Sequence, residues 1–352
     1  MVGETVWTLV DPRTAGPEFW KRYHEFRRAR QKATRPDDPV RPDQVEERRM
    51  RYQDPFHIEF RYEISVDGLM LSWFYGHTPR PGTSEYEKNK HLFWADAYVL
   101  LDHRRTRIGA TWLPLVLDLV DRHGCTTVGM GTEEDGGHAF LKWTGADVKL
   151  VEAENRLRLA DVDWGMLQGW VAAGRKRSPE TAVEIFDGPM PESMWVDFAP
   201  QMMTMLNTMP FESLDIGEII VTPDHLREFY ERLKVAGEDV HMVLAREPDG
   251  TVSAVTEATW APHRETIIQQ MFTGVRPDAR GRGLGKWIKA AMLLHLHELY
   301  PRAQWVSTDN AGSNAPMLAI NKKVGFKQYR AASAYQISRD RLAARVRSLG
   351  SA

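Results

Sequence analysis

The chain has 352 residues, long enough for two domains, and its 42% hydrophobic and 27% charged residues are the balance of a protein with packed cores. Its 46 Lys and Arg nearly cancel 48 Asp and Glu, for a formal net charge of −2, which argues against the basic surface of a nucleic-acid binder. The lone Cys125 leaves no disulfide framework and reads as a core residue; with neither a signal-peptide pattern nor a membrane-length apolar run, the expectation is a cytoplasmic protein with no nucleic-acid or membrane partner.

In chain order, the Arg-rich stretch from Arg27 to Arg51 is interleaved with Asp37, Asp38, Asp43, Glu46 and Glu47, and reads as a solvated helical face. His57 to Val66 and Leu69 to Tyr75 flank an Asp67-Gly68 turn and predict a hairpin, followed by an apolar strand from His91 to Leu101. The aromatics Trp73, Phe74, Tyr75, Phe93 and Trp94 on these strands could form an apolar acceptor pocket between domains, but strand aromatics are more often core, the expected role here. A loop through Arg104 leads to a helix over Trp112 to Asp121, and Asp135-Gly136-Gly137-His138 reads as a turn. Val171 to Ser178, with Gly174 and three basic residues, is the expected junction between domains 1–170 and 171–352. The Met-rich segment from Met190 to Met209 offers adaptable side chains, expected to pack the two domains together rather than to line a cleft.

The second half opens with a helix over Pro223 to Lys234, capped by Thr222. Strands are predicted at Val240 to Arg246, Val252 to Trp260 and Thr266 to Val275, the first two joined by a Pro248-Asp249-Gly250 turn. A helix then presents Leu284, Ile288, Met292, Leu296 and Leu299 along one face and stops before Pro301. His295 and His297 are two apart on it and share no face, so no metal site is expected.

The halves repeat. Arg280 lies 176 positions after Arg104, and Val275 the same number after Val99; each pair sits at the end of a strand and before a helix. Trp143-Thr-Gly145-Ala stands where the second half has Val324-Gly325-Phe326. A tandem duplication follows, giving two domains of one mixed α/β (α+β) fold.

Arg280-Gly281-Arg282-Gly283-Leu284-Gly285-Lys286 lies between a strand and a helix, where backbone N–H groups and the helix end converge on an anion. It is not a Walker loop, because Lys286 is followed by Trp287, nor a Rossmann fingerprint, because the third glycine is misplaced. Downstream runs Asn310-Ala-Gly-Ser-Asn314-Ala-Pro-Met317-Leu-Ala-Ile-Asn321-Lys-Lys-Val-Gly325-Phe326. Together the two segments resemble the signature motifs of the GNAT acetyltransferase superfamily, over about residues 215 to 337 and in outline over the first half.

The resemblance implies two tandem GNAT-like domains, each a mixed, splayed sheet flanked by helices, with acetyl-CoA as acyl donor in the split. Arg280 to Lys286 would hold the pyrophosphate through their amides, Thr273 and Val275 would pair with the pantetheine arm, and Asn314, with Asn310, would bond the cofactor. Loop and N-cap chemistry is the competing reading of the two asparagines. Acetylation needs a base for the amine, an oxyanion donor, for which the Val275 N–H is the family's usual group, and a stabilised thiolate. Glu257, in a largely apolar strand, is the best candidate for the base, against a solvent-facing or Arg-paired Glu, with Glu265, His263 and water as the other candidates. The family often has a tyrosine acid where this chain has Asn321, whose amide can donate to sulfur or CoA without giving up a proton. Arg107 replaces Gly283 in the first repeat and is expected to crowd the pyrophosphate, so the first domain is expected to bind CoA weakly or not at all and to shape the substrate cleft. The expected acceptor is a small-molecule amine and the expected state a monomer or homodimer; the alternatives are a non-catalytic acyl-CoA-binding module, or transfer of another acyl group or to a hydroxyl.

Overall fold

The computed structural model describes residues 7–350. Its first half runs β1 (Thr8–Leu9), α1 (Pro17–Thr34), α2 (Asp43–Arg51), β2 (His57–Val66), β3 (Leu69–Pro79), α3 (Tyr86–Asn89), β4 (Leu92–Val99), α4 (Ile108–His123), β5 (Thr127–Thr132), α5 (Asp135–Thr144) and β6 (Asp147–Arg158). The rest runs α6 (Trp164–Arg177), β7 (Ala182–Asp187), α7 (Trp195–Leu206), α8 (Pro223–Ala236), β8 (Asp239–Arg246), β9 (Val252–Trp260), β10 (Ile267–Val275), α9 (Leu284–Leu299), β11 (Trp305–Ala311), α10 (Ala315–Val324), β12 (Lys327–Ser338) and α11 (Arg339–Gly350). No described helix is long and apolar enough to cross a membrane.

Local chemistry sets many of these limits. Thr222 caps α8 in a reciprocal pair with His225, and Gly237 ends that helix in a left-handed conformation. Asp163 accepts from the Met166 amide to start α6. Asp135-Gly-Gly-His138 is not a turn but the first turn of α5; Glu134, extended, precedes it, and the helix goes on to bury Leu141.

Two compact units emerge, and they do not coincide with consecutive halves divided at 170/171. One comprises the described residues through Val151, Glu212–Glu218 and those from Ala332 on; the other comprises Glu152–Phe211 and Ile219–Ala331. The sheet of the first has the strand order β1-β2-β3-β4-β5-β12, and that of the second β6-β11-β10-β9-β8-β7. The last strand of each half has been exchanged: β12 pairs antiparallel with β5 from Ser333↔Thr132 to Ser338↔Thr127, and β6 pairs antiparallel with β11 from Arg158↔Trp305 to Glu152↔Ala311. Repeats of one fold offer equivalent strands to equivalent edges, so the exchange keeps every ladder bond. Nothing in either strand's alternation distinguishes one destination from the other.

Each unit carries its own core. In the first, α4 buries Trp112, Leu119 and Val120 against Phe74, Phe93 and Val128, with Tyr335 and Ile337 from β12 in the same cluster. Cys125 is buried there too, as expected. In the second, α9 lays Leu284, Ile288, Met292 and Leu296 over Val243, Ala258 and Ile268. On its other face Met190, Met202 and Met205 join Tyr230, Met242 and Val255. The Met-rich segment therefore packs inside the second unit, correcting the expectation of an inter-domain role. The Arg-rich stretch folds into α1 and α2 and is more tied down than a solvated face, with Arg27 paired to Asp43 and Arg35 to Glu133.

The strand exchange is testable. Ile337→Ala opens a cavity in the first unit and should cost about 2–5 kcal/mol. Hydrogen exchange should report the loss of protection in β2 to β5 and leave β8 to β10 unchanged.

Candidate functional site

In the second unit, β10 and β11 run parallel and pair only from Ile267↔Trp305 to Gln269↔Ser307. Beyond that point they part. On its other side β10 stays paired with β9, but Met271 and Phe272 bulge opposite Glu257 before the ladder resumes at Thr273↔Thr256. The bulge restores the alternation so that Thr273 shares a face with Gln270. The Thr273 and Thr256 hydroxyls are 2.7 Å apart, and Gln270 Nε2 donates to both oxygens at 3.3 and 2.8 Å. The Arg276 amide donates to Ser253 of β9, so by alternation the backbone groups of Thr273 and Val275 point into the opening.

The glycine loop closes one end of this opening. Gly281 and Gly283 adopt φ of 82° and 81°, the left-handed region in which a Cβ is disfavoured. Leu284 and Gly285 begin α9 and are buried, while Lys286 lies over the Trp170 ring. Arg282 does not face outward: its guanidinium pairs with Glu247 at 2.8 Å and donates to Thr181, fastening the loop to the sheet. Arg280 Nε donates to the Val275 carbonyl at 3.4 Å. Arg177, at the end of α6, lies so close to Gly283 that a Cβ there would stand 2.8 Å from its Nη1. That cation beside an N-terminal anion cradle was missed in the sequence, where Arg175 to Arg177 read only as a junction.

The carboxylate expected to act as base is enclosed. Glu257 is 7% exposed, and no described residue hydrogen-bonds or pairs with its oxygens; burial alone pushes its pKa up to about 7. Register puts it on the face shared by Met242 and Val255, towards α7 and α8.

Asn310 and Asn321 meet: Asn321 Nδ2 donates to Asn310 Oδ1 at 2.7 Å, and Asn155 Nδ2 approaches the same oxygen at 3.4 Å. Asn321 Oδ1 is left buried without a donor, as is Gln270 Oε1. Asn314 caps α10, its Oδ1 accepting from the Met317 amide at 3.4 Å. Of the two tyrosines that follow the motif, Tyr335 lies in the first unit, where its hydroxyl meets His138 Nδ1 at 2.9 Å, and Tyr329 is covered by the Arg156 guanidinium. A further ionisable group escaped the sequence reading. Lys289, one turn after Gly285, is 1% exposed, with its ammonium over the Phe326 ring at 5.0 Å, and burial brings its pKa down to about 7. Its place on the buried stripe of α9, three residues before Met292, was the available signal.

The first unit repeats the arrangement. β4 and β5 pair in parallel only from Leu92↔Thr127 to Trp94↔Gly129 and then part. Arg104 Nε donates to the Val99 carbonyl at 3.1 Å, as Arg280 does to Val275. Arg105 and Arg107 hold φ of 66° and 68° at the positions of Gly281 and Gly283. The loop keeps its shape without its glycines, at a cost of about 1–2 kcal/mol per residue. A cavity of 1080 Å³ opens there, lined by Asp96, Ala97, Arg105, Arg107, Gly109 and Phe140 among others. The expected crowding by Arg107 does not close it. Asp96 is open to this cavity but otherwise surrounded by protein, and burial raises its carboxyl above the usual range.

Two substitutions follow from these strains. Arg107→Gly should stabilise the first unit by about 1 kcal/mol, read by thermal unfolding. Lys289→Met should stabilise the second by about 2 kcal/mol and alter a pH dependence. With its pKa depressed to about 7, Lys289 binds a proton between pH 7 and 10.5 only when unfolded, so stability rises with pH across that window. The methionine variant should lose that rise.

No protein-family model matches the chain, and neither does any curated protein. Solved structures do. A tandem GNAT protein from the clavulanic acid biosynthesis pathway, solved without AcCoA, superposes with a TM-score of 0.74 at 16% identity, covering 95% of this chain and 98% of its own. A GCN5-related N-acetyltransferase from Sphaerobacter thermophilus gives 0.63 at 13% identity, with 95% of each chain covered. A GCN5-related glucosamine N-acetyltransferase region of a fungal multi-domain β-N-acetylglucosaminidase gives 0.62 at 12% identity, covering 96% of this chain and 38% of that one. Two splayed sheets, each with a left-handed loop between strand and helix at its opening, and this superposition over nearly the whole length agree: the chain has the tandem GNAT fold.

Proposed function

We propose that the chain is an acetyl-CoA-dependent N-acetyltransferase that acts on a small-molecule amine in its second unit. The observation that carries this reading is the early end of the β10–β11 ladder under the Gly281–Gly283 loop. It leaves the backbone of Thr273 and Val275 turned into a cleft whose far end attracts phosphate. The residues fit a pantetheine diphosphate donor. The buried acceptors Asn321 Oδ1 and Gln270 Oε1 lack donors that amide N–H groups can supply, and Arg177 adds charge at the loop. Asn314 serves α10 as its cap.

The reaction is a direct transfer. Glu257 takes a proton from the ammonium form of the acceptor, and the free amine attacks the thioester carbonyl. A C–N bond forms, the C–S bond breaks, and the departing thiolate takes a proton from solvent. The Val275 N–H is the donor for the carbonyl oxygen as charge develops on it. Asn321 can offer the sulfur its second N–H, the first being used on Asn310. A carboxylate with a pKa of about 7 is half-ionised at neutral pH, as a general base requires.

A second reading is favoured by the cavity beside Arg105 and Arg107: the first unit holds the donor. Calorimetric titration with acetyl-CoA separates the two. Gly283→Arg should abolish binding at one site per chain, whereas Ala97→Trp, which fills the first unit's cavity, should leave it unchanged. The reverse pattern transfers the donor to the first unit, and no binding by the unaltered chain overturns both readings. For the chemistry, kcat/KM should rise with pH up to about 7 and level off as Glu257 ionises. Glu257→Gln should lower turnover by about 10²–10⁴ with acetyl-CoA affinity retained. Unchanged turnover in that variant removes Glu257 from the role.

A further inference from the structure

At the end of the second unit remote from the glycine loop, three side chains from three elements converge. Asp187 and His241 are direct cross-strand partners on β7 and β8, and α9 lies over their face of the sheet. His295 stands on the packed side of α9, eleven residues from its start and so about 16 Å along the helix from the loop. His241 Nδ1 and His295 Nε2 both lie 2.7 Å from the same oxygen, Asp187 Oδ1, and the three ligand atoms fall within 4.8 Å of one another. His241 is buried and Asp187 is half-exposed, which leaves one open side. His297, two residues on, stacks on Trp164, whereas the partners of His295 come from the sheet.

The proton count around His241 points the same way. The Tyr300 hydroxyl lies 2.7 Å from His241 Nε2 and 3.3 Å from Asp239 Oδ2, and its ring is held by stacking on Trp260 at 4.3 Å. It has one proton to give, and Asp239 can only accept. The ordering that satisfies both contacts has Tyr300 donating to Asp239 and His241 Nε2–H donating to Tyr300. A neutral His241 then carries its lone pair on Nδ1, facing the Asp187 carboxylate at 2.7 Å, and two acceptors at that distance need either a proton or a metal ion between them. The opposite ordering leaves the Tyr300 and Asp239 oxygens facing each other with no proton between them. A metal ligand whose second ring nitrogen donates to a fixed partner is the arrangement that orients imidazoles at metal sites.

We propose that Asp187, His241 and His295 bind a divalent zinc-type cation, with Tyr300 and Asp239 orienting His241. Two imidazoles and one carboxylate suit Zn²⁺, with water in a fourth position on the exposed side. Bonds of about 2.0–2.2 Å set tetrahedral ligands about 3.3 Å apart, so Asp187 moves outward by about half an ångström, which its exposure allows. The ion clasps the edge strand β7 to α9. This inference stands apart from the acyl-transfer reading and requires no activity for its test.

The test uses the full chain, free of any affinity tag, stripped with chelator and titrated with ZnCl₂ by calorimetry and thermal unfolding; Co²⁺ provides a spectroscopic probe of coordination. His295→Ala and Asp187→Asn alter partly exposed side chains and should leave the metal-free unfolding temperature close to that of the parent. The expected result is one tight Zn²⁺ per chain, the visible absorption of four-coordinate Co²⁺, and an unfolding constant lowered about 100-fold when free Zn²⁺ is 100 times its Kd. Both variants should lose the Co²⁺ absorption and at least tenfold in affinity. Zn²⁺ binding that both variants retain overturns the proposal. So does the absence of a thermal shift in the parent, in which case a second proton on His241 bridges to Asp187.

Discussion

The site depends on a ladder that stops early. A parallel pair normally consumes every N–H and C=O along its shared edge, and unpaired backbone groups in an interior cost free energy comparable to lost hydrogen bonds. Here β10 and β11 share three residue pairs and then separate, and β4 and β5 do the same in the other unit. The bulge opposite Glu257 turns β10 so that Thr273 keeps its place beside Gln270 while its backbone faces the gap. The opening is thus held apart by packed strands on both sides rather than by a mobile loop. Everything that binds there meets backbone groups already ordered, which lowers the entropic cost of recognition.

The charges in the second unit divide by how they are compensated. Arg282 is matched by Glu247, Ser178 and Thr181, and its work is to fasten the loop. Glu257 and Lys289 have no opposite charge, and burial moves both towards neutrality from opposite directions, to about 7 in each case. A fold under selection for stability alone replaces such groups with apolar ones. Each is a buried ionisable group whose cost an apolar side chain would not carry, and the left-handed Arg105 and Arg107 hold a comparable strain at the equivalent loop of the first unit.

The sequence made much of this legible. The i, i+4 stripe on α9, the turn signals of the hairpins and the 176-residue offset between Arg104 and Arg280 led to two copies of one fold. The glycine loop and the Asn310-to-Phe326 block marked where an anion and its carrier would lie, and Glu257 stood out as a carboxylate in an apolar strand. What escaped has definite causes. The exchange of β6 and β12 is invisible because the equivalent strands of a duplication satisfy either edge equally well. Arg107 was read by its side chain alone, whereas the backbone kept the left-handed turn and the cavity stayed open. Asn314 suits both a cofactor contact and a helix cap by its residue type, and the bond present is the cap. Lys289, Arg177 and the partners of His295 depend on contacts between elements far apart in sequence, which periodicity within one helix cannot report.

Hydrogen exchange of the full chain with and without acetyl-CoA tests the central claim most directly, because it reads the amides themselves. The splayed ladder in the second unit, closed by the glycine loop, predicts new protection at Thr273, Val275 and the Gly281–Gly285 amides, with the Arg105–Gly109 amides unchanged. Protection confined to Arg105–Gly109 and the end of β4, or no change at either loop, would contradict it.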